Sequence, residues 1–296
     1  MTEATPGAVV ITGASRGVGR ELALGYARRT RDLILIARSP DALTAVADAC
    51  RAAGAPGIQT ITADLTRDDD LGRVVDGLET LTAGGVFIDT LINNAGVLAG
   101  LPFAGQPPQS IAQSVALNCA VPTLLTSTLL PHMLERGHGR ILNVASMAGV
   151  APVAGMAVYA ATKSYAIHVS HALRRELKGS GVSVTVLVPG PIATDMLADV
   201  ISADVGSVSL MPTLAAADVA AAAIDGLEGG RATVVPGLLN AIAYYGAQVL
   251  PAAILEPLAN ARLQRRADPV AASANLRAQR APGQQVQGEP RTQPSQ

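Results

Sequence analysis

Short apolar runs rich in β-branched residues recur along the chain between longer stretches of helical periodicity. They are AVVIT from Ala8, LILIA from Leu33, IQTIT from Ile58, IDTLI from Ile88, RILNVA from Arg140, VSVTVLV from Val182 and ATVV from Ala232. Runs of this length and composition read as strands, and each intervening segment is long enough for a helix. Strands that alternate with helices imply βαβ units and a parallel sheet. The strands are nearly continuous hydrophobic runs, as expected when helices cover both faces of the sheet. The fold class expected is α/β, a doubly wound parallel sheet of about seven strands in a single domain.

The pattern breaks down from Arg266 into RADPVAASANLRAQRAPGQQVQGEPRTQPSQ, which has almost no large apolar side chain to bury. The expectation is a domain over residues 1–265 and a disordered tail over 266–296. Residues 232–255 carry no charge. Pro236, Asn240, Gln248 and Pro251 interrupt them, so a buried or interfacial helix is preferred to a membrane span needing about 20 apolar residues. A helix from about Leu238 to Leu250 would align Leu238, Leu239, Ile242, Tyr245 and Val249 on one apolar face. That face suits the substrate cleft or a second subunit, with a membrane surface next in order, favoured there by Arg262, Arg265 and Arg266.

Composition narrows the class. Of 296 residues 49% are apolar and 15% charged, which supplies ample core, and the formal net charge of -1 with scattered basic residues gives no footprint for nucleic acid. A small-molecule partner is expected. Cys50 and Cys119 lie far apart with no metal-ligand spacing, so neither a disulfide scaffold nor a zinc site is expected. The N-terminal MTEATPG lacks the features of a signal peptide, and the expected location is the cytoplasm.

TGASRGVG follows the first strand, with Gly13, Gly17 and Gly19 in the turn and a helix from about Val18. Glycines let the backbone approach a pyrophosphate, and the helix N-terminus supplies free N–H groups to it. The second strand ends at Ala37 and Arg38, where a fold preferring NAD would place an acid. Arg38 with Arg16 could clamp a 2'-phosphate, or could be a solvated surface arginine, and Asp41 lies close by. Asp64 ends the third strand, and Asn93, Asn94, Ala95 and Gly96 end the fourth, at the strand ends where open α/β sheets bind ligands; NNAG could equally be an ordinary turn.

Tyr159 and Lys163 stand four residues apart on one predicted helix, so the ammonium can lie near the phenol and favour its ionised form. Such a pair suits acid–base work on an alcohol or ketone. With five tyrosines and two lysines in 296 residues, a chance pair is expected only about 0.03 times. Ser146 ends the fifth strand, where a hydroxyl could hold a substrate carbonyl or simply cap a turn. Asn118 falls in a predicted long helix, where a buried asparagine bonded to backbone is the plain reading.

TGASRGVG, NNAG, Asn118, Ser146, YAATK and PGPIAT occur in an order that resembles the classical branch of the short-chain dehydrogenase/reductase family over roughly residues 8–195. The resemblance implies a Rossmann-type fold with Tyr159 as general acid or base, Ser146 orienting the carbonyl and Asn118 holding a relay water. Lys163 would bind the nicotinamide ribose and lower the tyrosine pKa. It also implies cofactor contacts at Gly13, Ser15, Arg16, Gly17, Val18, Gly19, Arg38, Asp64, Leu65, Asn94, Ala95, Gly96, Pro189, Gly190, Ile192 and Thr194. NADP(H) is expected over NAD(H), with hydride transfer to or from a carbonyl or alcohol. The apolar segment 195–214 suits a lipophilic ketone. Dimers or tetramers are common in the family, and a regulator that binds the cofactor without turnover is the alternative.

Overall fold

The computed structural model describes residues 7–98, 103–193, 212–250 and Ala253. Thr194, most of the segment 195–214 and the tail from Arg266 lie outside the described residues. The strands are β1 (Ala8–Thr12), β2 (Leu33–Ala37), β3 (Ile58–Thr62), β4 (Ile88–Asn93), β5 (Gly139–Val144), β6 (Val182–Leu187) and β7 (Thr233–Val234). Among the described residues they form one parallel sheet in the order β3-β2-β1-β4-β5-β6-β7. Every run read as a strand is therefore a strand. β1, β2 and β4 are buried at each position, β1 and β2 as nearly continuous apolar runs and β4 with Asp89, Thr90 and Asn93 buried as well, whereas the edge strand β3 is largely exposed.

The helices are α1 (Gly17–Ala27), α2 (Pro40–Ala52), α3 (Asp68–Ala83), α4 (Pro108–Val115), α5 (Val121–Arg136), α6 (Ala157–Glu176), α7 (Ala216–Glu228) and α8 (Leu238–Val249). Side chains alternate across the sheet, so Val9 and Ile11 pack with Leu22, Leu43 and Ile224 on one face. Val10 and Leu91 pack with Leu78, Leu125 and Met133 on the other. Local signals place the helices: Ser39 caps α2, accepting from the Ala42 N–H, with Pro40 in its first turn. Asp68, Asp69 and Asp70 open α3, where negative charge meets the positive end of the helix dipole.

The stretch Pro108–Arg136 is long and apolar enough to cross a bilayer by length and composition. Here Leu125, Leu129 and Met133 lie fully buried against the sheet, as in a core helix. The uncharged segment 232–255 is not one helix: β7 ends at Val234, and the Gly237 turn at φ 86° releases the chain into α8.

β1 continues into α1 on one face while its neighbour β4 continues toward the other, which opens a crevice at their carboxyl ends. At the opposite end of the sheet the Asp89 carboxylate, 3% exposed, accepts from Arg31, from the Gly7 N–H at 2.9 Å and from the Thr90 hydroxyl at 2.6 Å. Arg31 also donates to the Gly7 carbonyl, so the pair ties the start of β1 to β4. Asp89→Ala would leave the Arg31 cation largely buried without a counter-ion. We expect denaturant unfolding to show a loss of about 3–5 kcal/mol.

Candidate active site

The glycine loop closes tightly on the β4 end. Gly13 sits at φ 65°, and a Cβ on Gly19 would lie 2.1 Å from the Gly13 carbonyl oxygen and 2.5 Å from Asn94 Nδ2. Asn94 Nδ2 donates to the Thr12 and Gly13 carbonyls at 2.9 and 3.1 Å, and the Thr12 hydroxyl accepts from the Asn94 and Ala95 N–H groups at 3.0 Å. NNAG is thus a built lock between β1 and β4, more than an ordinary turn. Among the described residues the N-cap residue's side chain does not cap α1 and no acid stands in its first turn, an arrangement suited to an anion. Ser15 and Gly17 are half-buried, Val18 and Leu65 buried, and Arg16 and Arg38 exposed. The Asp64 carboxyl is held below its usual range: burial pushes it up, but hydrogen bonds from Thr66 and the nearby Arg38 cation outweigh that.

Tyr159 and Lys163 lie on α6. The short turn Met147–Gly149 packs directly on that helix, since a Cβ on Gly149 would meet the Lys163–Ser164 backbone at 2.5–2.8 Å. This close approach sets Ser146 beside Tyr159. Lys163 is 6% exposed, and its ammonium donates to the Val144 carbonyl at 2.9 Å while lying 5.7 Å from the Tyr159 ring centre. A Cβ on Gly96 would sit 3.4 Å from Lys163 Nζ and 3.1 Å from Asn118 Oδ1, so the absence of a side chain there keeps the two groups approachable.

Burial moves the two titrating groups in opposite directions. It lowers the Lys163 ammonium to about 8, against a smaller opposing pull from the Cys119 sulfur. It pushes the Tyr159 phenol up, partly offset by the hydrogen bond with the Ser146 hydroxyl. The expected lowering of the tyrosine pKa by Lys163 is therefore not what the protein's own groups give: burial outweighs the other influences, and the lysine spends a hydrogen bond on Val144.

Asn118 lies in a π-helical turn, Ala116–Ala120, between α4 and α5, where the Val121 N–H reaches back five residues to the Ala116 carbonyl. The expected single long helix is thus broken at this residue. The Asn118 amide accepts from the Val97 N–H at 2.9 Å and donates to the Val97 carbonyl at 2.9 Å and to Thr162 Oγ1 at 3.0 Å. Its side chain is committed to protein partners, which leaves its backbone carbonyl as the group for any further bond. Pro122, four residues on, has no N–H to offer that carbonyl. Thr162, which accepts from the Asn118 amide, is a site residue that sequence reasoning passed over.

Pro189 completes the wall: its carbonyl accepts from the Met147 N–H at 2.9 Å, next to Ser146. The Pro191 carbonyl accepts from Leu214, and the Leu214 carbonyl from Ala193, each at 2.9 Å, with Ile192 bridged to Leu214. Gly190 packs against Asn240 of α8. The helix α8 meets the protein through Asn240 and Tyr244, 1% and 3% exposed. The face expected to find a neighbour is open: Leu238, Leu239, Ile242, Tyr245 and Val249 are 55–82% exposed.

The sequence profile described as "short chain dehydrogenase" matches residues 7–204. The chain is 36% identical over 200 residues to the ketoacyl reductase HetN of Nostoc sp., covering 67% of this chain and 68% of that protein. It is 33% identical over 228 residues to the 11-beta-hydroxysteroid dehydrogenase-like protein 4A of Arabidopsis thaliana, covering 76% and 75%. Among solved structures, a short-chain dehydrogenase from Sphingobium yanoikuyae in complex with NADPH superimposes with a TM-score of 0.74 at 31% identity, covering 85% of this chain and 94% of that one. A bulky-bulky ketone specific alcohol dehydrogenase from Comamonas testosteroni gives 0.71 at 30% identity, covering 85% and 94%. With its seven-stranded Rossmann-type sheet and motifs in family order, the chain belongs to the short-chain dehydrogenase family and is an NAD(P)-dependent oxidoreductase of small-molecule substrates.

Proposed function

We propose that the protein is an NADP(H)-dependent carbonyl reductase for a lipophilic ketone, with Tyr159 as the proton donor. The observation that carries this reading is the phenol of Tyr159 hydrogen-bonded by Ser146 and backed by the buried ammonium of Lys163. The tight glycine loop, closed on Asn94 and Ala95 where a Cβ on Gly13 or Gly19 would strike the protein itself, leads into the uncapped α1 N-terminus and, with the bare approach to Lys163 and Asn118 at Gly96, fits a dinucleotide. When bound, the nicotinamide supplies a hydride to the carbonyl carbon.

The chain's own residues do the rest. Ser146 Oγ donates to the carbonyl oxygen and holds it beside the phenol. Tyr159 gives that oxygen its proton, so the product is the alcohol and the phenolate regains a proton from solvent. The Lys163 ammonium stabilises the phenolate as it forms, and Asn118, through its carbonyl, holds a water in the route back to solvent. Around the cofactor, Ser15, Val18, Leu65, Asn94, Ala95, Pro189, Ile192 and Thr194 make the remaining contacts. Arg16 and Arg38, both exposed at the loop and at the β2 end, are the groups for a 2'-phosphate, which no acid at Ala37 or Arg38 would repel.

The 195–214 segment, mostly aliphatic apart from three aspartates and free of aromatic residues, supports a lipophilic substrate, and the ketoacyl, hydroxysteroid and bulky-ketone names of similar proteins point the same way. The assembly we favour is a cytoplasmic homo-oligomer using the open stripe of α8, with a lipid surface as second choice.

Three measurements bear on this reading. Tyr159→Phe should lower turnover roughly 100-fold to 10,000-fold while leaving NADPH affinity nearly intact; substantial activity in that variant would assign the proton to another group. Arg38→Ala should raise the dissociation constant for NADPH about tenfold or more, as loss of a charge-assisted bond implies, and hardly affect NADH. With only two lysines in the chain, Lys163 and Lys178, the 13Cε-lysine spectrum should contain one signal titrating at about 8. Two signals both titrating near the ordinary value of about 10.4 would show that Lys163 is not desolvated.

A further inference from the structure

In the segment Pro189–Gly190–Pro191 both prolines have φ fixed by their rings, so the backbone freedom of the turn is concentrated at Gly190. The turn is held on its catalytic side by the bond from the Met147 N–H to the Pro189 carbonyl. On its other side stands Asn240, the third residue of α8 and 1% exposed. A Cβ placed on Gly190 would lie 2.6 Å from Asn240 Nδ2, 2.7 Å from Oδ1 and 2.8 Å from Cγ. The carboxamide of Asn240 thus occupies the space that any side chain at position 190 would take.

The carboxamide is itself fixed, because Nδ2 donates to the Pro236 carbonyl at 2.8 Å. One helical turn on, Tyr244 is buried with Ala145, Val186 and Val188, directly behind the strand end that carries Ser146. Asn240 Oδ1 is buried without a hydrogen-bond partner among the described residues and faces the Gly190 turn. A leucine would fill the same volume without burying an unpaired acceptor, so a polar group there calls for an explanation beyond packing.

We propose that Asn240 is a positioning residue: its carboxamide is a wedge that sets the Gly190 turn, and with it the Pro189–Ala193 wall of the cofactor crevice. Through the stripe Asn240 and Tyr244, α8 then fixes both that wall and the base of Ser146. The proposal rests on the dinucleotide reading of the crevice given above.

The test is a suppressor pair. Gly190 does not have a positive φ, so alanine fits its backbone, and the nearest obstacle among the described residues is the Asn240 carboxamide. Gly190→Ala alone should lower the melting temperature of the ligand-free protein, shrink its NADPH-induced thermal shift and raise the dissociation constant for NADPH about tenfold. Asn240→Ala alone should weaken NADPH binding several-fold and leave KM for the ketone unchanged. The double variant Gly190→Ala/Asn240→Ala removes the three atoms nearest the new Cβ and should recover most of what Gly190→Ala loses. A Gly190→Ala protein that melts and binds NADPH like wild type, or a double variant no better than Gly190→Ala, would overturn the wedge. Wild type that shows no thermal shift with NADPH or NADH would overturn the dinucleotide reading and this inference with it. Normal NADPH binding with an unaltered ketone KM and kcat in Asn240→Ala would overturn the positioning role alone.

Discussion

The crevice depends on one short lock between two strands that are sheet neighbours but about 80 residues apart in sequence. The Thr12 hydroxyl receives two N–H groups from the end of β4, and the Asn94 amide returns two hydrogen bonds to the end of β1. A parallel sheet would otherwise splay where its chains leave for opposite faces, since no hydrogen-bond ladder continues past the strand ends. Holding those ends together brings the glycine turn, the α1 N-terminus and Gly96 to one level. The other side chains of the site are placed relative to that level by β5, β6 and α6.

Burial is the second organising force. The same exclusion of water pushes the Tyr159 phenol up and the Lys163 ammonium down, so near neutrality both groups keep their protons. A protonated phenol is a donor, which agrees with the reductive direction proposed above. The cation has no carboxylate beside it among the described residues, only the Val144 carbonyl and the neighbouring Cys119 sulfur. A carboxylate there would hold the ammonium protonated more firmly but would also disfavour a phenolate close by.

Much of this was readable in the sequence, for identifiable reasons. The strands were visible because most are short runs of β-branched and apolar residues, with even the exposed edge strand IQTIT keeping that composition, and the Tyr159–Lys163 pair was visible because lysine is so rare here. The direction of the tyrosine shift was not, because desolvation is a property of the assembled interior. The π-turn at Asn118 escaped a reading based on periodicity; Pro122 is compatible with it but does not announce it, since Pro131 sits inside α5 with no such turn. The helix α8 was legible, and its apolar stripe Leu238, Leu239, Ile242, Tyr245 and Val249 faces outward, while Asn240 and Tyr244, which the spacing did not select, make its inner contacts. Periodicity finds an amphipathic stripe without saying which surface receives it.

That outward stripe has a colloidal consequence. Repulsion between copies grows with net charge, and this chain has a formal charge of only -1 at pH 7 and a pI of about 6.4. A run of aliphatic and aromatic side chains facing water on so nearly neutral a molecule meets little electrostatic resistance to self-association. Solutions of the protein should therefore be least forgiving of high concentration just below neutral pH, and most tolerant well to the alkaline side.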